Sequence, residues 1–385
     1  LILLLFMLAA AWTGRAHAAE PSPTADPETL APLPPEAERL DDYWAELARS
    51  YGDYFPAEET PSVRDLLVPG GGFHMADVLA GLLRYFFHEI VHHGKLLVSI
   101  VVLTVLASVL STLQGAFERQ SISKVAYAIC YLAILIMAVD SFRAAITYAG
   151  EAIERMIHFM TAMVPLMLTL LASIGNIASV TVLHPLIVFM VNIIGHAIYA
   201  VVFPLLFFSA ILHIVSSLSE KYKVNQLADL LGTIATGVLG VMLTAFLGVL
   251  SVQGATSAVT DGVTIRTAKY ITGNFVPVVG KMFTDAADTV ISTSLLVKNA
   301  IGIAGVVILV LLCAFPAVKI LSLAIIFNLS GAMMQPLGDS PIVTCLQTIG
   351  KSLIHVFAAL AAVGLMFFFA LTIMITSGNI AVMMR

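Results

Sequence analysis

Beyond Lys95 the chain passes through one apolar stretch after another, separated by short polar turns. Stretches of this length exceed what one soluble core can bury, so lipid must supply most of the surroundings. Runs near Leu96–Leu113, Val125–Val139, Met156–Ile174, Val180–Ile194, Ala197–Leu218, Thr233–Val252, Ile301–Val318, Ile320–Met334 and Leu353–Thr376 predict an all-α polytopic membrane protein. About 7–9 transmembrane helices are expected, since several runs fall short of the ~20 residues that span a bilayer and would be tilted or re-entrant. The composition agrees: 59% of the 385 residues are hydrophobic, 11% are charged, and the mean hydropathy is +0.98. A soluble enzyme of two or three domains is excluded, because such proteins carry about 25% charged residues.

Charge divides the chain into two parts. Residues 19 to 80 carry 13 acids and three bases, whereas residues 81 to 385 carry 11 acids and 15 bases. An acidic, exported head therefore precedes a slightly basic apolar body. Neither has the clustered Lys and Arg that a phosphate backbone requires, so nucleic acid is not an expected partner and membrane lipid is. Cys130, Cys313 and Cys345 are too scattered for a disulfide framework or a metal site.

Residues 1–18 read as a signal peptide, a short apolar run followed by Ala16-His17-Ala18, with cleavage expected after Ala18. Residues 19–94 form the acidic extracytoplasmic head and an amphipathic lead-in. Within them, residues 20 to 38 are a Pro-rich acidic tether. Leu40, Tyr43, Trp44, Leu47 and Tyr51 recur at helical spacing and predict an amphipathic helix whose aromatic face lies on membrane or partner. Residues 95–252 are membrane helices, 253–300 a polar, Gly-interrupted amphipathic segment, and 301–385 membrane helices with a short cytoplasmic tail. Nine crossings that begin outside would put Lys319 in a cytoplasmic turn, an orientation that the positive-inside rule supports weakly. Val109–Leu113 recurs as Ile214–Leu218, each before a charged turn and a further span, so an internal duplication of roughly 105 to 113 residues is expected.

Two constellations bear on chemistry. His88-Glu89-Ile90-Val91-His92 matches H-E-x-x-H, in which two histidines one turn apart bind zinc and the glutamate acts as base. Asp261-Gly262 is the one candidate for a third ligand. The motif precedes the first span on the extracytoplasmic side, which favours an interfacial stretch with its rings at headgroup level. No catalytic, cofactor or metal residue is assigned, and no cofactor is expected. A membrane-embedded zinc metallopeptidase using His88, Glu89 and His92 stands as the rival reading.

The second constellation is the stretch from Ser251 to Ile301, too polar to face lipid and too apolar for a solvated loop. Gly254, Ala258 and Gly262 fall at four-residue steps that let helices approach closely. Lys281, Asp285 and Asp288 share a helical face, Arg266 and Lys269 stand one turn apart upstream, and Gly273, Pro277 and Gly280 interrupt the helix between them. Asp261, Arg266, Lys269, Lys281, Asp285 and Asp288 are thus the candidate polar lining or assembly face. A solvated extracytoplasmic hairpin is the alternative for this stretch.

The same stretch resembles the most distinctive part of the stage III sporulation protein AE family. The resemblance extends over roughly residues 40 to 385, through Tyr43-Trp44, Gly94-Lys95-Leu96-Leu97, Ser123-Lys124-Val125-Ala126-Tyr127, His184-Pro185, Tyr222-Lys223-Val224, Gln335-Pro336-Leu337-Gly338 and Gly378-Asn379-Ile380. It implies a non-enzymatic subunit, permease-like or scaffolding, of the channel or secretion apparatus between mother cell and forespore. That apparatus is required for endospore formation and late forespore gene expression. The location implied is the mother-cell-derived outer forespore membrane. The partners implied are the other membrane and ring-forming proteins of the same sporulation operon, its secretion-type ATPase and, indirectly, the forespore protein Q.

Overall fold

The computed structural model describes residues 38–54, 75–116, 120–218, 224–275, 279–337 and 340–383. Within these ranges the side chains of residues 38–39, 75, 111–116, 120–123, 178–179, 218, 254–275, 279–288, 290, 337, 378 and 380–383 lie outside the description. The signal peptide and most of the tether fall outside the described residues. Every described element is helical, as the apolar runs predict.

Helix α1 covers Glu38–Tyr51 and ends in a 3₁₀ turn, Gly52–Tyr54. Leu40, Trp44 and Leu47 are buried at spacings of four and three, the stripe expected of an amphipathic helix. That stripe is covered by the chain's own body: Tyr43 meets Phe159 edge to face at 5.2 Å, and Tyr51 stacks on Phe315 at 3.9 Å with the rings 1° from parallel. Helices α2 (Met75–His92) and α3 (Gly94–Ala116) follow, bent by 42° at the break between them.

Then come the long helices. α4 spans Gln120–Ser173, α5 Ile177–Ala197 and α6 Phe203–Leu218, with a π turn at Ile198–Val202 joining α5 to α6. α7 spans Asn225–Phe275, α8 Val279–Met334 and α9 Pro341–Met383. The turn after α4 is closed by Gly175 at φ 91°: its N–H reaches the Ala172 carbonyl, and the Asn176 N–H reaches that of Leu171. This left-handed C-cap strains any residue with a Cβ, which fixes glycine at the position.

Among the described residues five helical stretches are long and apolar enough to cross a membrane, or six if the bent α2–α3 pair makes one span. The membrane class is therefore as expected, while the count of runs is corrected. Eight of the nine runs fall pairwise or singly on those five stretches. Val125–Val139 and Met156–Ile174 are both α4, Val180–Ile194 and Ala197–Leu218 are joined through the π turn, and Ile301–Val318 and Ile320–Met334 are both α8. Hydropathy dips at Asp140–Arg155 and at Lys319, but a charge that finds a partner does not end a helix. Pro165, Pro185 and Pro316 also lie inside continuous helices.

α8 and α9 form the centre. In their most apolar stretches 78% and 67% of the residues are buried within the protein, against 33%, 39% and 22% for α4, α5–α6 and α7. The two central helices meet closely because Gly364 of α9 faces Cys313 of α8: a Cβ there would stand 2.5 Å from Sγ and 3.2 Å from Cβ of Cys313. α4 lies across both, and α7 and α6 flank α9. The outer helices turn Val102, Ile129, Phe189, Phe208 and Val241 outward, an apolar coat that needs lipid or protein against it.

Candidate functional site

Two polar assemblies lie inside this apolar frame. The first forms where α1 and α2 dock on the middles of α4 and α8. Tyr85 of α2 stands edge-on to Phe315 at 5.2 Å and to Tyr51 at 5.6 Å, and Tyr54 meets Tyr85 at 5.0 Å. Burial pushes the Tyr51 hydroxyl up from its ordinary value, so it remains a neutral phenol. One turn beyond Tyr85, Glu89 is only 6% exposed and accepts a hydrogen bond from the Tyr85 hydroxyl.

His93, at the break between α2 and α3, brings Nε2 within 3.2 Å of Glu89 Oε2. Lys319 of α8 acts on the same carboxylate from across the helix pair. Its ammonium lies 4.2 Å from the centre of the Tyr148 ring of α4, a cation–π contact. Beside this layer Arg155 of α4 pairs with Glu46 of α1 at 3.8 Å. The carboxylate, imidazole, ammonium and phenols thus come from four helices at one height.

This geometry divides the H-E-x-x-H motif. Glu89 points into the protein, whereas His88 and His92 are exposed, with their rings stacked at 6.2 Å. The His88 ring also meets that of Tyr54 at 5.5 Å, and among the described residues no three His, Cys, Asp or Glu side chains converge as a metal site. Glu89 is engaged along its own helix by Tyr85 and His93, and α2 is held to α8 by the contact of Tyr85 with Phe315. The Asp261 side chain lies outside the described residues.

The second assembly is at Lys298, which has no exposed surface. Its ammonium donates to the Ile375 carbonyl at 2.7 Å and to Asn379 Oδ1 at 2.8 Å, joining α8 to the end of α9. A buried lysine without such acceptors would be driven to neutralise, so the two bonds are what make the position tenable.

The six sequence candidates divide along the backbone. Asp261, Arg266 and Lys269 lie on the last turns of α7, and Lys281, Asp285 and Asp288 on the first turns of α8; their side chains lie outside the described residues. The polar segment is therefore the joined ends of two long helices continuous with the spans Asn225–Gln253 and Ile291–Met334. Of the residues expected to interrupt the helix, Gly273 lies within α7 and Gly280 within α8, and Pro277 lies outside the described residues.

Sequence reasoning missed Lys319, Tyr148 and the Lys298–Asn379 pair. Lys319 is not in a turn between two spans but mid-helix, because the Tyr148 ring offers it a partner there. An isolated lysine inside a long apolar run was the available signal for both positions.

Comparison with known proteins agrees with the sequence resemblance. Residues 61–378 match the family described as Stage III sporulation protein AE. The stage III sporulation protein AE of Bacillus subtilis (strain 168) is 51% identical over 350 residues, covering 91% of this chain and 88% of that protein. No solved structure matches the chain.

Proposed function

Since the chain belongs to the stage III sporulation protein AE family, we propose that it is a non-enzymatic membrane subunit of the apparatus that joins mother cell and forespore in endospore formation. It acts there as a permease-like or scaffolding component, in the mother-cell-derived outer forespore membrane. Its partners are the other membrane and ring-forming proteins of its operon, the secretion-type ATPase and, through them, the forespore protein Q.

The observation that carries this reading is the division between centre and coat. α8 and α9 are largely enclosed by the protein itself, while α4 to α7 leave most of their apolar surface outward. A chain with an enclosed helical centre and a wide apolar perimeter is built to stand in a membrane beside other subunits. The joined ends of α7 and α8, with Asp261, Arg266, Lys269, Lys281, Asp285 and Asp288, supply the charged face that lines or docks the assembly.

Two measurements in a sporulating cell test this. Replacing the gene by one encoding Asp285→Ala with Asp288→Ala should reduce late forespore gene expression and recovery of the other operon products with the tagged chain. Normal expression together with normal co-purification would remove the charged face from the mechanism. Normal late forespore expression in a strain lacking the gene would remove the function itself.

A further inference from the structure

Lys298 is a fully buried cation whose two hydrogen-bond partners, the Ile375 carbonyl and Asn379 Oδ1, are both neutral. Among the described residues no carboxylate forms an ion pair with it. Neutral acceptors replace part of the hydration that an ammonium loses on burial. They leave its charge unbalanced, and one of its three N–H donors has no described acceptor.

The same layer of the bundle holds further orphans. Met167 of α4 and Ile375 of α9 both press on Gly302 of α8, where a Cβ would stand 3.4 Å from Met167 Cε and 2.6 Å from Ile375 Cγ1. α8 runs antiparallel to both helices, since Gly305 meets Met163 and Cys313 meets Gly364. One turn beyond the Gly302 contact therefore lie Lys298, Leu171 and Asn379 together, and the Leu171 carbonyl accepts the N–H of Asn176. Asn176 has no exposed surface and makes no side-chain cap on α5, and among the described residues neither its Oδ1 nor its Nδ2 has a hydrogen-bond partner. Asn299 Oδ1, on the residue after Lys298, is likewise buried without one. Buried amides are almost always paired in folded proteins, so these atoms mark a missing component.

Their chemistry defines it. The unbalanced ammonium calls for a single negative charge. The Asn176 Nδ2 and the first N–H groups of α5, a helix of 21 residues, are donors that favour the same sign. Met167, Leu171, Ile174 and Ile301, each at most 1% exposed, keep bulk water from the layer, so the attraction is weakly screened. The two orphan acceptors, Asn176 Oδ1 and Asn299 Oδ1, call for donors, which water retained by an ion supplies while giving its other hydrogen to the ion. Full burial of both Lys298 and Asn176 limits the occupant to an ion of one or a few atoms. We propose that this layer holds one partly hydrated monovalent anion of about the size of chloride. Lys298 supplies the opposite charge, and Asn176 with the start of α5 supplies the remaining donors.

The test is binding of radioactive chloride to the purified full chain in detergent, at constant ionic strength with gluconate as the replacing anion. One saturable chloride per chain is expected, and chloride should raise the melting temperature relative to gluconate. Lys298→Met, which keeps the length of the side chain and removes its charge, should abolish both effects while melting in gluconate close to the original chain. Asn176→Leu should weaken chloride at least about tenfold. Lys351→Met, which removes an exposed lysine from α9, should bind chloride as the original chain does.

Absence of saturable chloride binding, or binding that survives Lys298→Met, overturns the proposal. Binding that survives Asn176→Leu overturns the site as drawn, and loss in Lys351→Met equal to that in Lys298→Met makes the effect one of net charge and overturns it too.

Discussion

Replacing Asn379 by Leu, which removes one of two acceptors from a fully buried ammonium, should harm the protein more than replacing the ammonium itself. Lys298 has no exposed surface and two hydrogen bonds, at 2.7 Å to the Ile375 carbonyl and 2.8 Å to Asn379 Oδ1. Hydrogen bonds to charged groups contribute about 1.5–3 kcal/mol each. Asn379 is half-buried, so water recovers part of the loss, and the expected cost of Asn379→Leu is about 2 kcal/mol.

Lys298→Met keeps the length of the side chain and removes the charge together with its desolvation. The Asn379 amide can then turn to water and the Ile375 carbonyl keeps its place in α9, so the expected change is within about 1 kcal/mol of zero. The double variant should resemble Lys298→Met, which makes the two substitutions non-additive by about 2 kcal/mol. Equilibrium unfolding in mixed micelles measures all four corners of this cycle. An Asn379→Leu chain as stable as the original, or losses that simply add, would refute the assignment of Lys298 as a buried charge held by Asn379.

Other variants probe the remaining contacts. Gly364→Ala should cost about 1–3 kcal/mol by overpacking, and Cys313→Ala in the same chain should recover part of it by removing the sulfur that the new methyl meets. Tyr51→Ala should cost about 2–3 kcal/mol and speed tryptic cleavage after exposed Arg49, because the stack on Phe315 holds α1 to the body. Tyr51→Phe should leave the cleavage rate unchanged. Glu89→Gln should lower stability by about 1–2 kcal/mol while His88→Ala stays within about 0.5 kcal/mol, with no difference between melts run with and without zinc. A zinc-dependent melt abolished equally by both substitutions would restore the metal reading.

The membrane class was legible because Leu, Ile, Val, Phe and Ala fill run after run, and lipid is the one solvent that suits them. The helix at Leu40–Tyr51 was legible from its spacing. The number of separate helices was not, since a hydropathy profile registers Lys319 as a gap without seeing the Tyr148 ring that accommodates it. Glu89 was found, but in the wrong company. Its spacing to His88 and His92 suggested metal, whereas the helix turns it toward Tyr85 and His93 and leaves those two histidines outside. Lys298 and Asn379 are 81 residues apart, and no local pattern connects a lysine to an amide at that distance.

The continuity of α4 and α8 bears on how the topology of such a chain can be mapped. Enzyme reporters are commonly fused at the turns that hydropathy marks out, which here would include residues 140–155 and 318–320. Both positions are helix interior, beside Tyr148 and Lys319, and a fusion there would sever the layer that binds α1 and α2 to the body. Even the turn at Gly175–Asn176, where the backbone does reverse out of its helix, is no open insertion point, since Asn176 is fully buried and a fusion there would have to displace what packs around it.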